Sequence, residues 1–314
     1  MIARNSDADV NVVALIGERG REVKEFVVDA LKEEGMKKSV LVCATGDLPP
    51  LIRMKCLLAA TTVCEYFRDQ GKKVFLMTDT VTRCAMAGRE VGLSMEIELC
   101  ASMMCAYYGN LEREVRELED AGIDSFHIDI MDGRYVPNFA MSLNDMAYIA
   151  SATKKPLDVH LMLEHPNNNI HFFLEKLRPG DTVYIHPEAE YHPSTTLQKI
   201  INADMIPGIA INPGTSVETV VEMLQIVQKV LVMSVNPGNA GQMYLPYVSK
   251  KYDKLLPLQK EMGFDAYWDG ACSADKITEF APKGVKGFVL GTTLLFGKKK
   301  HYKDAIREIR DLVR

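Results

Sequence analysis

The sequence predicts an α/β protein in which residues 95–314 form a (β/α)8 TIM barrel and residues 1–94 form a shorter, incomplete parallel α/β fragment. From Met95 onward, β-rich apolar runs alternate with amphipathic segments eight times, which is the rhythm of a TIM barrel. Residues 1–94 hold three buried apolar runs alternating with helical segments, which is typical of a parallel sheet. An open doubly wound sheet is the alternative for the second part, but it rarely carries eight evenly spaced pairs.

Eight segments are predicted to supply the barrel strands. In chain order they are IELCAS, SFHIDIMD, PLDVHLML, TVYIHPEA, MIPGIAIN, KVLVMSVN, DAYWDGA and GFVLGTT. The first barrel helix is predicted to begin at Leu111, to place Val115 and Leu118 on the same face, and to end near Gly122. The last helix, from His301, is predicted to bury a stripe at helical spacing: Tyr302, Ala305, Ile306, Ile309, Leu312 and Val313.

In residues 1–94 the predicted strands are VNVVALIG, SVLVCATG and KVFLMTD. The first helix is predicted to end at Gly35 and a longer one to lie between Pro50 and Gly71. The first helix carries an apolar face made of Val23, Phe26, Val27, Ala30 and Leu31. The change of pattern at Ser94–Met95 is abrupt and has no flexible linker, so we place a domain boundary there. A three-stranded sheet leaves strand edges and apolar faces open, and we therefore expect a loosely folded appendage.

The composition argues against a nucleic-acid-binding, membrane-spanning or secreted protein. A formal net charge of −5 offers no basic footprint for nucleic acid. No apolar run approaches the ~20 residues that span a bilayer, and the N-terminus carries charges where a signal peptide would be apolar. Seven cysteines without a CxxC pair suit reduced, mostly buried thiols. These features predict a cytoplasmic protein with neither a nucleic-acid nor a membrane partner.

Polar side chains stand where barrel strands normally carry aliphatic ones. His127 and Asp129 alternate along the second barrel strand, His160 lies on the third, and Asp269 ends the seventh. Alternation points the first three inward, and barrel enzymes place their chemistry at the carboxyl ends of the strands. Burying two imidazoles and two carboxylates is costly unless they are paired or bind a metal. Two His and two Asp predict a site for Zn²⁺, Fe²⁺ or Mn²⁺.

Glycine-rich turns follow two late barrel strands. The sixth strand runs into Asn236–Gly241 and the eighth into Gly291–Thr293. Loops after the seventh and eighth strands, with backbone N–H groups at a helix start, are the usual phosphate cradle of this fold, and we expect the loop after the sixth strand to join it here. The sequence therefore predicts a phosphate-bearing ligand at the same end of the barrel as the polar cluster.

Five stretches resemble the ribulose-phosphate 3-epimerase family, including its allulose-6-phosphate 3-epimerase branch. They are FHIDIMDGRYVPN (126–138), DVHLM (158–162), MSVNPGNAGQ (233–242), WDGAC (268–272) and VLGTTLLF (289–296). The resemblance runs from Met95 to the C-terminus. NPGNAGQ stands where a phenylalanine and a second glycine are usual, DGAC replaces a double glycine, and Ala101–Met104 replaces a proline-led strand end. These departures affect substrate and phosphate contacts, not the metal set.

The resemblance implies an isomerase of carbohydrate metabolism that inverts C3 of D-ribulose 5-phosphate, as in the pentose phosphate route, or of D-allulose 6-phosphate, through an enediolate. One divalent ion (Zn²⁺, Fe²⁺, Mn²⁺ or Co²⁺) would be bound by His127, Asp129, His160 and Asp269, without an organic cofactor. Asp129 and Asp269 would be the opposed acid/base pair, and a homo-oligomer is expected.

The same resemblance implies the substrate contacts. They are Ser102, His160, Gly238, Asn239, Ala240, Gly241, Gly270, Ala271, Gly291 and Thr292. Met131, Met162 and Met233 either flank the reacting carbons or serve only as packing.

The first part of the chain resembles the catalytic subunit of flagellar and type III secretion ATPases in ALIGERGREVKEF (14–26), YFRDQGKKVFLMTDTVTR (66–83) and AMAGREVG (85–92). By position, Glu18 would be the water-activating carboxylate and Asp79 the Mg²⁺-side aspartate of a P-loop ATPase core. The chain has no GxxxxGK[ST], and GTTLLFGKK (291–299) has the wrong spacing. We therefore predict that both positions are vestigial and that the chain does not hydrolyse ATP.

Two other functions remain open. Residues 1–94 could make the chain an assembly or binding component of a secretion ATPase ring. A barrel lyase or aldolase would use the same phosphate cradle, but such enzymes commonly need a Schiff-base lysine at a strand end. The lysines near strands, such as Lys229, stand at strand starts.

Overall fold

Two separate β-sheets organise the chain. The computed structural model describes residues 6–46, 48, 50–78, 82–83, 97–297 and 300–313. The chain divides into two compact units, Met1–Ser94 and Met95–Arg314. The first contains a three-stranded parallel sheet and the second a closed parallel barrel, as the sequence predicted.

The N-terminal sheet has the strand order β2-β1-β3. Its strands are β1 (Val10–Ile16), β2 (Ser39–Ala44) and β3 (Val74–Thr78). Helix α1 (Gly20–Glu25) continues through a π-helical turn (Phe26–Leu31) into α2 (Lys32–Met36), and α3 (Pro50–Asp69) precedes β3. The prediction that Gly35 ends the first helix is wrong, since Gly35 lies inside α2. The helix is instead interrupted at Lys32, where the π-helical turn meets α2 and φ is +56°.

Strand β1 is buried along its whole length, whereas β2 and β3 are mostly half-buried. Val12, Ala14 and Ile16 pack with Cys56 and Ala60 of α3 in one core cluster. Within the described residues, β2 and β3 each pair only with β1. The predicted fragment of a larger parallel sheet matches this arrangement.

In the second unit, every barrel strand pairs in parallel with two neighbours, and the last strand pairs with the first. The predicted TIM barrel is therefore confirmed. The strands are β4 (Glu98–Ser102), β5 (Ser125–Met131), β6 (Leu157–Met162), β7 (Thr182–Ile185), β8 (Ile206–Ile211), β9 (Lys229–Met233), β10 (Asp265–Asp269) and β11 (Gly287–Leu290).

Helices surround the barrel and return the chain between strands. They are α4 (Leu111–Asp120), α5 (Leu143–Ala152), α6 (Ile170–Leu174), α7 (Pro193–Asn202), α8 (Lys250–Met262), α9 (Ala274–Phe280) and α10 (Tyr302–Asp311). Two 3₁₀ turns, Val217–Thr219 and Val221–Gln225, make the crossover between β8 and β9. No helix within the described ranges combines the length and apolar character that a membrane crossing requires.

The two predicted helix faces are largely confirmed. Helix α4 buries Val115 and Leu118, and the chain leaves it through Gly122, whose φ is +89°. Helix α10 buries Ala305, Ile306 and Ile309. The prediction that Leu312 is buried is wrong, because this residue follows the last helical turn and is 39% exposed.

The lower interior of the barrel is filled by large side chains, which leaves the carboxyl ends of the strands for polar ones. A Cβ atom on Gly208 would lie 2.4 Å from the Tyr184 ring, and one on Gly287 would lie 2.0 Å from the Tyr267 ring, so glycine makes room for both tyrosines. Lys229 Nζ, at the start of β9, lies 3.2 Å from Asp158 Oδ1 and also faces Glu98. This lysine, whose side chain is 12% exposed, is a structural cation at the end of the barrel opposite Asp269.

Candidate active site

Four side chains from three strands meet at the carboxyl end of the barrel. One nitrogen or oxygen from each of His127, Asp129, His160 and Asp269 lies within 4.8 Å of the others. Alternation places His127 and Asp129 on the same face of β5, and the parallel register sets Asp129 beside His160 on β6. Asp269 ends β10. The local chain geometry thus produces a cluster of two imidazoles and two carboxylates.

The distances within this cluster are those of ligands around a common centre. His127 Nε2 lies 3.4 Å from Asp129 Oδ1 and 3.9 Å from Asp269 Oδ2. His160 Nδ1 lies 3.3 Å and 3.8 Å from the same two oxygens. Neither ring nitrogen of His127 makes a well-formed hydrogen bond with any described residue, although the ring is buried. A buried imidazole left in this state suits a ligand to a cation, so the residues fit a divalent metal ion.

Burial and neighbouring charges set the pKa values of these side chains. Burial alone would lower the pKa of His127, but the carboxylates of Asp129 and Asp269 outweigh it and raise that pKa to about 9. Burial would raise the pKa of Asp129, but His127 and His160 lower it well below its ordinary value. The pKa of Asp269 is raised by burial and by the neighbouring Asp129 charge. The environment therefore shifts the pKa values of the two aspartates in opposite directions.

An open cavity of about 600 Å³ lies above the cluster. Asp129 and Asp269 are on its wall, whereas the fully buried His160 ring lies outside it. The remaining predicted substrate contacts all line the cavity: Ser102, Gly238, Asn239, Ala240, Gly241, Gly270, Ala271, Gly291 and Thr292. Ser102 Oγ also donates a hydrogen bond to Asp129 Oδ2 at 3.0 Å.

The three predicted methionines line the cavity and also pack. Met131 and Met162 form a small apolar cluster with Val136, and Met233 packs with the buried tyrosines of the barrel interior. These contacts are compatible with both interpretations of the methionines.

The glycine-rich strand ends need their glycines for different reasons. Gly270 has a φ of +87°, and a Cβ there would lie 2.5 Å from Val235, so this turn excludes any side chain. Gly238 has a φ of +118° and passes close to Val136. Asn138 Nδ2 donates to the Gly238 carbonyl oxygen at 2.6 Å, which ties the loop after β5 to the loop after β9.

Sequence reasoning missed His186 and Asn138. His186 follows β7, is fully buried, and places Nε2 at 2.8 Å from His160 Nε2. The alternation in TVYIHPEA could have identified it, because His186 lies two residues beyond Tyr184, which fills the barrel interior. Asn138 stands within the quoted motif, but its partner lies 100 residues away and no local pattern connects the two.

In the N-terminal unit, Glu18 follows β1 and is buried. One of its carboxylate oxygens lies 2.5 Å from Arg83 Nη1, which also donates to the Gly17 carbonyl oxygen. Asp79, the second predicted ATPase position, lies outside the described residues.

Two protein families match the chain, over ranges that overlap at residues 98–171. Residues 98–295 match the ribulose-phosphate 3 epimerase family, and residues 1–171 match the nucleotide-binding domain of the ATP synthase alpha/beta family. The flagellum-specific ATP synthase of Bacillus subtilis is 55% identical over 94 residues, which cover 30% of this chain and 22% of that protein. The chain thus spans about a fifth of that relative.

The epimerase match is much more extensive. The ribulose-phosphate 3-epimerase of Methanocaldococcus jannaschii is 33% identical over 220 residues, which cover 68% of this chain and 90% of that protein. A solved structure of Mycobacterium tuberculosis tryptophan synthase superposes with a TM-score of 0.52 at 11% identity, over 72% of this chain and 96% of that one, which shows the shared fold alone. The chain therefore belongs to the ribulose-phosphate 3 epimerase family and is an isomerase, with an N-terminal segment related to the ATP synthase alpha/beta family.

Proposed function

We propose that the barrel epimerises a ketose phosphate at C3, interconverting D-ribulose 5-phosphate and D-xylulose 5-phosphate or D-allulose 6-phosphate and D-fructose 6-phosphate. The observation that carries the proposal is the pair of carboxylates, Asp129 on β5 and Asp269 on β10, at one cavity. These strands are three positions apart around the eight-stranded barrel. Carboxylates that approach a bound sugar from separated sides can reach both faces of one carbon, which inversion requires.

The cluster would hold a divalent ion through His127 Nε2, His160 Nδ1 and one oxygen each of Asp129 and Asp269. Two nitrogen and two oxygen ligands suit Zn²⁺, Fe²⁺, Mn²⁺ or Co²⁺. When bound, the ion supplies Lewis-acid stabilisation of the negative charge that develops on the sugar oxygens as the C3 proton leaves.

The two carboxyl groups carry the proton. Asp129, whose pKa is lowered, is ionised and can take the C3 proton on one face. Asp269, whose pKa is raised, can hold a proton and deliver it to the opposite face of the planar enediolate. The reverse reaction exchanges the two roles. Ser102, by donating to Asp129 Oδ2, orients the carboxylate so that its other oxygen stays with the imidazoles.

The loops after β9, β10 and β11 would hold the phosphate. They carry glycine or small residues on the cavity wall, which lets backbone N–H groups approach an anion closely. The residues proposed for this role are Gly238, Asn239, Ala240, Gly241, Gly270, Ala271, Gly291 and Thr292.

A direct test is to incubate the metal-loaded chain separately with ribulose 5-phosphate and with allulose 6-phosphate and to identify the products by ¹³C NMR. We expect one substrate to yield its C3 epimer much faster, chelation to abolish the reaction, and added Zn²⁺, Fe²⁺, Mn²⁺ or Co²⁺ to restore it. Turnover of neither substrate by folded, metal-loaded protein would contradict the proposal.

A second candidate function concerns residues 1–94, which we propose as a separate domain. Their 55% identity to part of a flagellum-specific ATP synthase favours a role as an assembly or binding component of such an ATPase. Size-exclusion chromatography with a full-length flagellar ATPase would reveal co-assembly as an earlier, joint peak. Mg²⁺-ATP turnover by the purified chain, lost in Asp79→Ala, would contradict the expectation that it does not hydrolyse ATP. The cytoplasmic location and the homo-oligomer stay predictions.

A further inference from the structure

His186 is a buried imidazole that the proposed chemistry does not use. It follows β7, and its Nε2 lies 2.8 Å from Nε2 of His160, whose other nitrogen faces Asp129. The two rings are 5.0 Å apart, centroid to centroid, and both are fully buried. A contact of this length between two ring nitrogens is a hydrogen bond that contains a single proton.

The position of that proton decides whether His160 can bind a cation. If His186 donates, Nε2 of His160 must carry the lone pair, and a neutral His160 then carries its proton on Nδ1, where no lone pair is left for a metal ion. If His186 accepts, the proton is on Nε2 of His160, and the Nδ1 lone pair faces the cluster. Only the second arrangement is compatible with His160 as a ligand through Nδ1.

Groups around His186 favour the accepting form. Its Nδ1 makes no hydrogen bond with a described residue, but it lies 3.7 Å from Glu188 Oε1, so a positive N–H dipole at Nδ1 faces a carboxylate. Glu188 is held in place because Oε1 accepts hydrogen bonds from Thr215 Oγ1 at 3.0 Å and from the Tyr135 hydroxyl at 3.3 Å. The Tyr135 ring lies 4.8 Å from the His186 ring, centroid to centroid. Without an ion, Asp129 Oδ1, 3.3 Å from Nδ1 of His160, would hold a proton there in the same way. An ion at the cluster takes that lone pair, and the carboxylate of Glu188 then keeps the proton of His186 on Nδ1 and leaves its Nε2 as the acceptor.

We propose that His186 is a positioning residue for the metal centre: it accepts the Nε2–H of His160 and so turns Nδ1 of His160 toward the ion, while Glu188 fixes the tautomer of His186. The inference rests on the proposed metal-dependent function. It adds a role for a histidine and a glutamate that are not themselves ligands.

The test compares four purified variants by competition with a chelator of known affinity, using Zn²⁺ as the titrant. His186→Phe keeps the ring volume but cannot accept, and we expect a 10- to 100-fold weaker Zn²⁺ affinity, the usual cost of losing such a partner. In His186→Gln the amide oxygen can accept the same proton, and we expect affinity within a few-fold of wild type. Glu188→Gln should fall between them. Tyr252→Phe, which removes a different buried hydrogen bond (2.9 Å, to the Tyr267 carbonyl oxygen), is the matched control and should bind as wild type.

Folded His186→Phe with wild-type Zn²⁺ affinity would overturn the inference. A second measurement covers the case in which this variant does not fold: ¹⁵N–¹H NMR of the histidine rings in the Zn²⁺-loaded wild type. We expect protonated Nε2 and metal-bound Nδ1 for His160, with Nε2 of His186 unprotonated. The opposite tautomers would also overturn it. Wild-type protein that binds no metal would contradict the proposed metal centre itself, which distinguishes the two failures.

Discussion

The barrel and the N-terminal sheet are built from the same kind of strand but differ in how those strands are covered. Strand β7 of the barrel is buried at every position, whereas β2 of the N-terminal sheet is half-buried over most of its length and exposes Cys43. Each barrel strand has two neighbours, but among the described residues only β1 of the other sheet does. Apolar strand composition therefore indicates a parallel sheet without indicating whether the same chain covers it.

The two units also differ in what their polar strand ends do. In the barrel, two carboxylates and two imidazoles surround one point, and His127 is left without a well-formed hydrogen bond to the described residues. In the N-terminal unit, Glu18 is matched by the guanidinium of Arg83. Buried polar groups that lack hydrogen-bond partners of their own favour a bound ion or a catalytic role. A carboxylate that already has an opposite charge beside it does not require a ligand.

The largest expected effect separates the two units by activity. Asp129→Asn and Asp269→Asn should each lower kcat for epimerisation by about 10²- to 10⁴-fold, because a carboxamide can neither take nor deliver the C3 proton. Glu18→Gln, the matched change in the other unit, should leave kcat unchanged. Steady-state kinetics on metal-loaded protein measures all three. A Glu18→Gln enzyme with a kcat as low as that of the aspartate variants would contradict the claim that epimerisation depends on the barrel alone.

The next effect compares ion pairs. Lys229 pairs with the buried Asp158 at the barrel floor, where 12% and 1% of the two side chains are exposed, while Arg68 and Asp69 are on the surface of the N-terminal unit. Lys229→Met should cost about 3–5 kcal/mol of unfolding free energy, since it leaves a buried carboxylate unpaired. Arg68→Met should leave the unfolding free energy essentially unchanged, because both side chains of this pair are exposed to water.

Urea unfolding measures both ion-pair variants. It can be followed by the fluorescence of Trp268, the single tryptophan, for the barrel and by hydrogen exchange in β1 for the other unit. Folded Lys229→Met should retain epimerase activity. Loss of activity in that folded variant would contradict the purely structural role of Lys229.

A pH effect belongs to the barrel alone, because all seven histidines lie in residues 95–314. The pKa of His127 in the metal-free fold is raised to about 9 by the two carboxylates, despite burial. The resulting stabilisation, on the order of 3 kcal/mol, is present below pH 6.5 and is lost as the pH rises to about 9. Metal-loaded protein should not show this loss, because a ligating imidazole is already neutral. Trp268 fluorescence in urea at pH 6, 7.5 and 9, with and without Zn²⁺, checks this expectation, and identical curves for the two forms would contradict it.

The smallest effect compares two cysteines on strands. Cys43 is exposed on β2, and Cys100 is buried on β4. Cys43→Ser should change stability by less than about 0.5 kcal/mol, and Cys100→Ser should cost about 1–3 kcal/mol because it buries a hydroxyl without an assured partner. Hydrogen exchange in β1 and Trp268 fluorescence report the two units. Equal costs would mean that the N-terminal sheet is covered as well as the barrel.

Much of the barrel follows from sequence because its signals are periodic. The inward and outward alternation of side chains along a strand predicted that His127, Asp129 and His160 point inward. The alternation of apolar runs with amphipathic segments predicted the eight strands. The errors concern helix ends, where periodicity carries no information. The π-helical turn interrupts the helix at Lys32 and not at Gly35, and Leu312, just after the last turn of α10, is exposed although the next residue, Val313, is buried.

The missing parts of the site are those that depend on tertiary distance. His186 contacts His160 across two neighbouring strands, and Asn138 binds a carbonyl group 100 residues away. The Asn138 contact leaves no local pattern, since it joins two loops that approach each other only when the barrel closes. Alternation beyond Tyr184 could have placed His186 inward, but it does not show that this ring contacts His160. Strand register can be predicted from alternation, but the conformation of the loops above the strands cannot.

Solvent deuterium incorporation tests the central claim most directly. The metal-loaded chain would be incubated with its ketose phosphate in deuterated water, and C3 of recovered substrate and product would be read by NMR. Two carboxyl groups acting from opposite faces predict product that carries deuterium at C3, and Asp269→Asn protein that still exchanges the C3 proton of the substrate through Asp129 but forms little epimer. Product that retains its original C3 proton, or an Asp269→Asn enzyme that inverts the centre at the wild-type rate, would contradict the two-aspartate mechanism.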